Sequence, residues 1–220
     1  MSQRGTAIPP GGNSVYCLGV LASGGGTNLQ AILNRSASGR LPARVGVVIG
    51  NNSRSGALAR ARRAGVPAIH LSGKTHPQPG SLDRAIAETL RSHCVNLVVL
   101  AGYMKKLGPA TLKMYRNRVV NIHPALLPAF GGKGMYGERV HKAVVRSGAR
   151  VSGATVHLVD EEYDTGPIIL QRRIRVAPDD TSESLAGKVL AVEHELYTEA
   201  IRLFAEGRVR VDGGKVRILN

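Results

Sequence analysis

The 220-residue chain lacks several features that define large classes of proteins. It has no tryptophan, only 4% aromatic residues and only two cysteines, Cys17 and Cys94. Two cysteines are too few for a disulfide framework, which favours a reduced, cytoplasmic setting. No Cys/His spacing predicts a metal site. The scarcity of aromatic residues argues against the stacking surfaces that hold single-stranded nucleic acids.

Long hydrophobic runs are also missing. No apolar run approaches the roughly 20 residues that a membrane-spanning helix needs, and residues 1–14 lack the apolar core of a signal peptide. A place in the membrane is therefore not expected. Residues 1–14 are rich in Gly, Pro and Ser, which predicts a flexible tail. Residues 15–220 are long enough for one domain with a sizeable core.

Acidic residues are scarce in the first part of the chain. The net charge is +15, from 30 Lys and Arg against 15 Asp and Glu, and the only acids before Glu138 are Asp83 and Glu88. This imbalance favours an anionic ligand. A nucleic acid, a phosphorylated small molecule and a polycarboxylate all fit, and charge alone does not choose among them.

Short β-branched runs alternate with helical patterns between Val15 and Ile122. This alternation is typical of βαβ units in a parallel sheet. Two longer strand-like runs follow, over Val151–Val159 and Pro167–Val176. We therefore expect an α/β, Rossmann-like fold with a mostly parallel twisted sheet flanked by helices.

The last part of the chain adds a long helix and a hairpin. The helical pattern is longest over Thr181–Phe204, and Ser182 and Ser184 near its start are candidate caps. An Asp-Gly-Gly turn at residues 212–214 lies between two short strand-like runs. This turn predicts a C-terminal β-hairpin.

Three polar clusters follow predicted strands of the parallel part: Ser23–Asn28, Gly102–Leu107 and Asn121–His123. Ligands of such sheets bind beyond the carboxyl ends of the strands. We therefore expect the three clusters to contribute to one site.

The first cluster is a glycine loop, in which Gly24, Gly25 and Gly26 precede Thr27 and Asn28 at the start of a helix. Glycines let backbone N–H groups approach an anion closely, and a helix N-terminus adds partial positive charge. The loop matches neither the dinucleotide-binding nor the P-loop pattern, so it indicates a phosphate rather than NAD or ATP. The alternative is a tight turn with Thr27 or Asn28 as the helix cap.

Asn121 and His123 lie two residues apart at a strand end, which places both side chains on one face. An amide donor beside an imidazole suits a developing oxyanion. Asp164, in a later acidic loop, is a candidate to raise the pKa of His123. No G-x-S-x-G elbow is present, so direct attack by a substrate amine fits better than a covalent nucleophile. The alternative is a surface histidine and a turn-forming aspartate.

Four segments in order carry a family resemblance: 23–30 (SGGGTNLQ), 121–128 (NIHPALLP), 154–157 (ATVH) and 164–171 (DTGPIILQ). The chain resembles the folate-dependent formyltransferase family from about Val15 to the predicted hairpin. Segment 23–30 is similar to that of the members that act on a glycinamide ribonucleotide.

The resemblance implies transfer of a formyl group from 10-formyltetrahydrofolate, a co-substrate, to the amine of 5-phosphoribosylglycinamide in purine biosynthesis. It implies that Asn121 and protonated His123 stabilise the oxyanion and that Asp164 assists them. It implies that His157 lies near the active site and supports these residues without contacting the substrate. It implies no metal. The expected partners are these two small molecules, without nucleic acid or membrane, and the chain is expected to be a monomer or homodimer.

The resemblance also assigns binding residues. Those implied for the ribonucleotide are Gly26, Thr27, Asn28 and Glu193, and those implied for the folate are Met104, Lys105, Lys106, Leu107, Asn121, Asp160 and Asp164. The chain departs from the family in two places. Residues 130–137 form a longer loop than in many members, and residues 76–80 lack the arginine with which some members contact folate.

Other basic side chains receive less specific predictions. Arg60, Arg62 and Arg63 predict a solvated helix face. The remaining histidines lack the paired spacing of metal ligands, so packing or surface positions are expected for His70, His76, His93, His141 and His194.

Three rival functions stay open. Methionyl-tRNA formyltransferases share the motifs but carry a further C-terminal domain and usually an arginine where Ala129-Phe130 stands here. Formyltetrahydrofolate deformylases carry a further N-terminal domain. A non-enzymatic anion- or RNA-binding module would explain the charge and predict steep salt dependence, but it leaves Asn121, His123 and Asp164 without a role.

Overall fold

A computed structural model describes residues 6–7 and 15–220. Most of the predicted tail lies outside the described residues, and one domain over 15–220 stays a prediction. Within the described residues the strands are β1 (Thr6–Ala7), β2 (Tyr16–Ala22), β3 (Ala43–Gly50), β4 (Ala68–His70), β5 (Leu97–Leu100), β6 (Val119–His123), β7 (Val151–Leu158), β8 (Ile168–Arg175), β9 (Val209–Asp212) and β10 (Lys215–Ile218). The helices are α1 (Thr27–Ala37), α2 (Gly56–Arg63), α3 (Ser81–Ser92), α4 (Pro109–Met114), α5 (Glu138–Arg146) and α6 (Ser182–Ala205).

Seven strands form one sheet in the order β4-β3-β2-β5-β6-β7-β8. The first five are parallel, whereas β7 and β8 are antiparallel to their neighbours. The predicted mostly parallel α/β sheet is thereby confirmed. The chain runs outward from β2 to β4 and then returns to β5 beside β2, and this reversal of strand order is where ligands of open α/β sheets bind.

The side chains of the sheet alternate between two hydrophobic cores. Val120 and Ile122 pack into the core shared with α1, α2, α5 and α6, whereas Val119 packs into the core shared with α3. Burying each such side chain contributes about 1.5–3 kcal/mol. The same alternation turns Asn121 and His123 to the face of Val119, as their spacing predicts.

The long helix and the C-terminal hairpin are both present. Helix α6 packs on β7, α5 and α1, and β9 pairs with β10 and with β1 in a second, three-stranded sheet. The predicted caps of α6 need a correction. Thr181 is the N-cap, and it forms a reciprocal capping box with Ser184, whereas Ser182 is the first helical residue.

The three polar clusters converge at the carboxyl ends of β2, β5 and β6. Ser23 joins two of them, because its N–H donates to the Gly102 carbonyl (3.0 Å) and its Oγ accepts from the Met104 N–H (2.8 Å). In the part of the chain that the structure describes, no helix is long and apolar enough to cross a membrane.

Candidate active site

The ends of three strands bring the predicted reactive groups together. Asn121 and His123 end β6, and Asn121 lies opposite His157 of β7. The register between β7 and β8 shifts at His157, an irregularity common beside functional sites. Asp164 comes from the loop between β7 and β8.

Glycine is required where that loop returns to β8. A Cβ at Gly166 would collide with the backbone carbonyl of Leu158. Asp164 itself adopts a φ of 59°, in the left-handed region that aspartate tolerates better than most residues. The Asp-Thr-Gly sequence thus matches a turn that brings the carboxylate back over β6 and β7.

The Asp164 carboxylate lies between two imidazoles. Its Oδ2 is 3.6 Å from His123 Nδ1, and its Oδ1 is 3.5 Å from His157 Nε2. Oδ2 also accepts a hydrogen bond from the Gly132 N–H at 2.9 Å. Burial raises the pKa of Asp164, but its contacts with His157, Gly132 and His123 outweigh burial and hold the pKa below its usual value. Asp164 is therefore an anion at neutral pH.

His157 and Asn121 form a second chain of contacts. The Nδ1–H of His157 donates to the Leu158 carbonyl (2.8 Å), and in the neutral ring Nε2 can then accept from Asn121 Nδ2 (3.1 Å). The Asn121 amide keeps a second N–H for a ligand. His157 therefore lies behind Asn121 in this chain of hydrogen bonds, and its supporting role stays a prediction.

His123 is 97% buried, and its Nε2–H donates to the Phe130 carbonyl at 2.8 Å. Burial lowers the pKa of His123 below its usual value, whereas Asp164 and the Phe130 carbonyl act in the opposite direction. The sequence predicts that Asp164 raises this pKa. Asp164 does act in that direction, but burial outweighs it in the chain without substrates, so a protonated His123 during the reaction stays a prediction.

These groups line a cavity of about 460 Å³. This volume lies in the range of small-molecule sites. Of the residues implied by the family resemblance, those that line the cavity are Asn28, Met104, Lys105, Lys106, Leu107, Asn121, His123, His157, Asp160, Asp164 and Glu193. Gly26 and Thr27 lie beside it and do not line it.

The glycine loop offers free donors. Within the described residues, the backbone N–H groups from Gly24 to Asn28 have no hydrogen-bond acceptor. Gly26, with a φ of 77°, is the N-cap of α1, so the alternative of a Thr27 or Asn28 cap is wrong. Thr27 faces a second, more open depression together with Gln30, Arg60 and His194.

Asn28 connects the loop to α6, because its Nδ2 donates to Glu193 Oε2 at 3.0 Å. Glu193 is buried, and this burial raises the pKa of its carboxyl to about 7, against the lowering effect of the Asn28 hydrogen bond. The Asn28 Oδ1 is buried without a partner among the described residues. Both side chains therefore have unused hydrogen-bonding capacity toward the cavity.

The mouth of the cavity combines charged and apolar side chains. Lys106 Nζ is 3.5 Å from Glu162 Oε1 and 5.8 Å from the centre of the Tyr163 ring. Asp160 accepts from the Glu162 N–H and the Thr165 hydroxyl. Met104 and Tyr163 are exposed here, which leaves apolar surface for a ligand.

Two features of the site differ from sequence expectation. His141 is buried, lines the cavity, and has an Nδ1 without a partner among the described residues, although only packing or a surface position is expected for it. Arg60 is half-buried and contacts the glycine loop, whereas Arg62 and Arg63 are exposed as predicted. Neither contact follows a local motif, because each depends on how α5 or α2 packs.

Within the described ranges, no group of three or more His, Cys, Asp or Glu side chains could hold a metal ion. Cys17 and Cys94 are both free thiols.

Comparison with known proteins relates this geometry to a family. The profile of a family described as formyl transferase matches residues 18–201. The chain is similar to the chloroplastic phosphoribosylglycinamide formyltransferase of Vigna unguiculata, with 46% identity over 89% of this chain and 64% of that protein. The chain thus spans slightly less than two thirds of that relative.

Shorter relatives are covered more fully. The phosphoribosylglycinamide formyltransferase of Haemophilus influenzae is 37% identical over 88% of this chain and 89% of its own length. The crystal structure of glycinamide ribonucleotide transformylase 1 from Symbiobacterium toebii has a TM-score of 0.88 and 48% sequence identity, and the match covers 94% of this chain and 95% of that one.

Proposed function

The chain belongs to the formyl transferase family, and on this premise we propose that it transfers a formyl group from 10-formyltetrahydrofolate to the amine of 5-phosphoribosylglycinamide, a step of purine biosynthesis. The observation that carries the proposal is the meeting of Asn121, His123 and Asp164 in a cavity that extends to the glycine loop.

The ribonucleotide end of the site uses the loop and α6. Free N–H groups from Gly26 to Asn28 bind the phosphate, aided by the partial positive charge at the start of α1. Glu193 and Asn28 line the same cavity as the reactive groups, and their unused hydrogen-bonding atoms suit ribose hydroxyls.

The folate end uses the loops that follow β5 and β7. Residues of both loops line the cavity: Met104, Lys105, Lys106 and Leu107 from the first, and Asp160, Glu162, Tyr163 and Asp164 from the second. The cavity volume and the apolar surface at its mouth fit a folate ring system. 10-Formyltetrahydrofolate, as co-substrate, supplies an activated formyl carbonyl.

Asn121 and His123 act on that carbonyl. As the amine adds and a carbon–nitrogen bond forms, negative charge develops on the formyl oxygen. The free N–H of Asn121 and the Nε2–H of His123 stabilise this charge. The second carbon–nitrogen bond, to the folate nitrogen, then breaks, and His123 passes the proton given up by the amine to the departing nitrogen.

Asp164 supports the charged form of His123. Burial lowers the pKa of the imidazole in the chain without substrates, whereas the growing negative charge of the formyl oxygen and the fixed charge of Asp164 together favour proton binding during the reaction. The Phe130 carbonyl holds the same Nε2–H. In the proposed mechanism the formyl oxygen must therefore replace the Phe130 carbonyl as the acceptor of this N–H.

The proposal is tested by following folate absorbance with both substrates present. Ribonucleotide-dependent formation of tetrahydrofolate supports formyl transfer. Release of formate without the ribonucleotide would indicate a deformylase instead. No reaction with either, together with formylation of methionyl-tRNA or salt-sensitive RNA binding, would overturn the proposal in favour of the remaining rivals.

A further inference from the structure

Arg60 of α2 contacts the glycine loop from outside the cavity. Its Nε donates to the Gly25 carbonyl at 2.9 Å, and its Nη1 donates to Gln30 Oε1 of α1 at 2.9 Å. We propose that Arg60 is a positioning residue for the ribonucleotide phosphate, an inference that rests on the proposed function.

The argument begins with the peptide planes of the loop. Two successive carbonyls point to α2, because the Gly24 carbonyl accepts from the Ala57 N–H (3.0 Å) and the Gly25 carbonyl accepts from Arg60. In a trans peptide the N–H points opposite to the carbonyl. The N–H groups of Gly25 and Gly26 therefore point away from α2, and both are without an acceptor among the described residues.

Glycine makes this arrangement easy to lose. Because Gly24 and Gly25 have no Cβ atoms, the peptides that join Gly24 to Gly25 and Gly25 to Gly26 can rotate at little steric cost. Such a rotation would turn a carbonyl oxygen toward the anion. Ala57 fixes the first peptide by a backbone contact. The only side chain among the described residues that holds the second is that of Arg60.

The Arg60 guanidinium is itself held in place. Gln30 accepts from Arg60 and donates through Nε2 to Asn34 Oδ1 at 2.8 Å. Since Gln30 and Asn34 both belong to α1, this helix fixes the position of the guanidinium group. No carboxylate among the described residues pairs with Arg60, in contrast to Arg35, which pairs with Glu195. The unpaired charge lies in the depression that also contains Thr27, where it favours an anion.

The test compares Arg60→Gln with Arg62→Gln, which removes the same charge from an exposed position of the same helix. Arg60→Gln is expected to raise the KM for the ribonucleotide about tenfold, the effect of losing a charge-assisted hydrogen bond, with kcat and the KM for the folate unchanged. The ribonucleoside without its 5′-phosphate should react equally well with wild type and both variants. Arg62→Gln should behave as wild type.

Arg60→Lys separates positioning from charge. Lysine keeps the charge, but it lacks the planar guanidinium group that donates to the Gly25 carbonyl and to Gln30 at once. The ribonucleotide KM should therefore stay raised. Full recovery in the lysine variant would overturn the positioning role. An unchanged KM in Arg60→Gln, or an equal loss with the ribonucleoside, would overturn it as well.

Calorimetric titration with ribose 5-phosphate makes the result independent of turnover. Binding that weakens about tenfold in Arg60→Gln and not in Arg62→Gln supports the inference even if wild type shows no formyl transfer, in which case only the proposed function fails. Equal binding by wild type and Arg60→Gln rejects the role of Arg60 while leaving the proposed function intact.

Discussion

One carboxylate organises the reactive groups of this site. Asp164 faces His123 and His157, and the other nitrogen of each ring donates to a backbone carbonyl, of Phe130 and Leu158 respectively. His123 therefore presents to Asp164 the nitrogen that gains a proton when this ring becomes charged. The carboxylate favours that proton and burial opposes it, so a modest new negative charge in the cavity can change the balance.

Substitution of the two proposed oxyanion donors gives the first prediction. His123→Ala and Asn121→Ala should each lower kcat by roughly 10²–10³-fold, because each removes a donor placed where charge develops. The KM values should change much less. Steady-state kinetics with both substrates measures this.

His70→Ala is the matched control, since His70 ends β4 away from the cavity and makes no side-chain hydrogen bond within the described residues. Near-normal turnover of His123→Ala and Asn121→Ala would contradict the assignment of either side chain to the reaction.

The charge of Asp164 gives a second prediction, in pH dependence. Burial lowers the pKa of His123 most, Asp164 and the Phe130 carbonyl raise it, and His157 lowers it. Asp164→Asn keeps an acceptor for the Gly132 N–H but removes the raising charge, so the pKa of His123 falls further.

If the protonated ring is the active form, the rate falls as pH rises through the pKa of His123. As pH rises, Asp164→Asn should therefore lose activity at a lower pH than wild type. At the lowest pH of the profile its activity should come close to that of wild type. The profile of kcat/KM between about pH 5 and pH 8 measures the shift. Superimposable profiles would show that Asp164 does not act through His123.

At the scale of elements, the sequence predicts the scaffold well. The strand-like runs over Val151–Val159 and Pro167–Val176 agree with β7 and β8 to within one residue at each end, because their β-branched residues are a local signal. The strand-end clusters also converge as expected, since parallel topology fixes where strands end.

The sequence predicts less where tertiary packing decides. His141 reaches the cavity through the packing of α5, and Arg60 reaches the glycine loop through the packing of α2. The pKa of His123 is another example. Its charged neighbour is predictable from the motif, but the burial that outweighs this neighbour exists only in the folded chain.

The start of α6 gives a third prediction. Thr181→Ala removes the side chain that accepts from the Ser184 N–H and should lower the free energy of unfolding by about 1 kcal/mol. Ser182→Ala is the control, because Ser182 makes no side-chain hydrogen bond among the described residues. Urea denaturation measures both. Equal loss in the two variants would contradict the cap assignment.

At the scale of the whole molecule, charge is distributed unevenly around the site. The glycine loop belongs to the part of the chain before Glu138, which has almost no acids. The Glu161-Glu162 loop belongs to residues 138–220, which hold as many acidic as basic residues. The proposed phosphate end therefore lies in positive surroundings, with Arg60 nearby and without a carboxylate partner among the described residues. This local excess of positive charge favours the small anion that the proposed function requires.

Glu193 makes the stability of the whole molecule depend on pH. The pKa of its carboxyl is about 7 in the folded chain, against 4.5 for a glutamate side chain that is free in water. Between these values the folded chain holds a proton that the unfolded chain has lost. The contribution of this proton to the free energy of unfolding is therefore fully present below about pH 4.5 and is lost as pH rises through 7. The total loss is about 3 kcal/mol.

Glu193→Gln should remove this loss, because the amide stays neutral and can still accept from Asn28. The variant is expected to exceed wild type in free energy of unfolding at pH 8 and to match it near pH 4, while binding the ribonucleotide more weakly. Glu183→Gln, an exposed position on the same helix, should follow wild type at both pH values. If the free energy of unfolding depended on pH in the same way for wild type and Glu193→Gln, burial would not raise the pKa of Glu193.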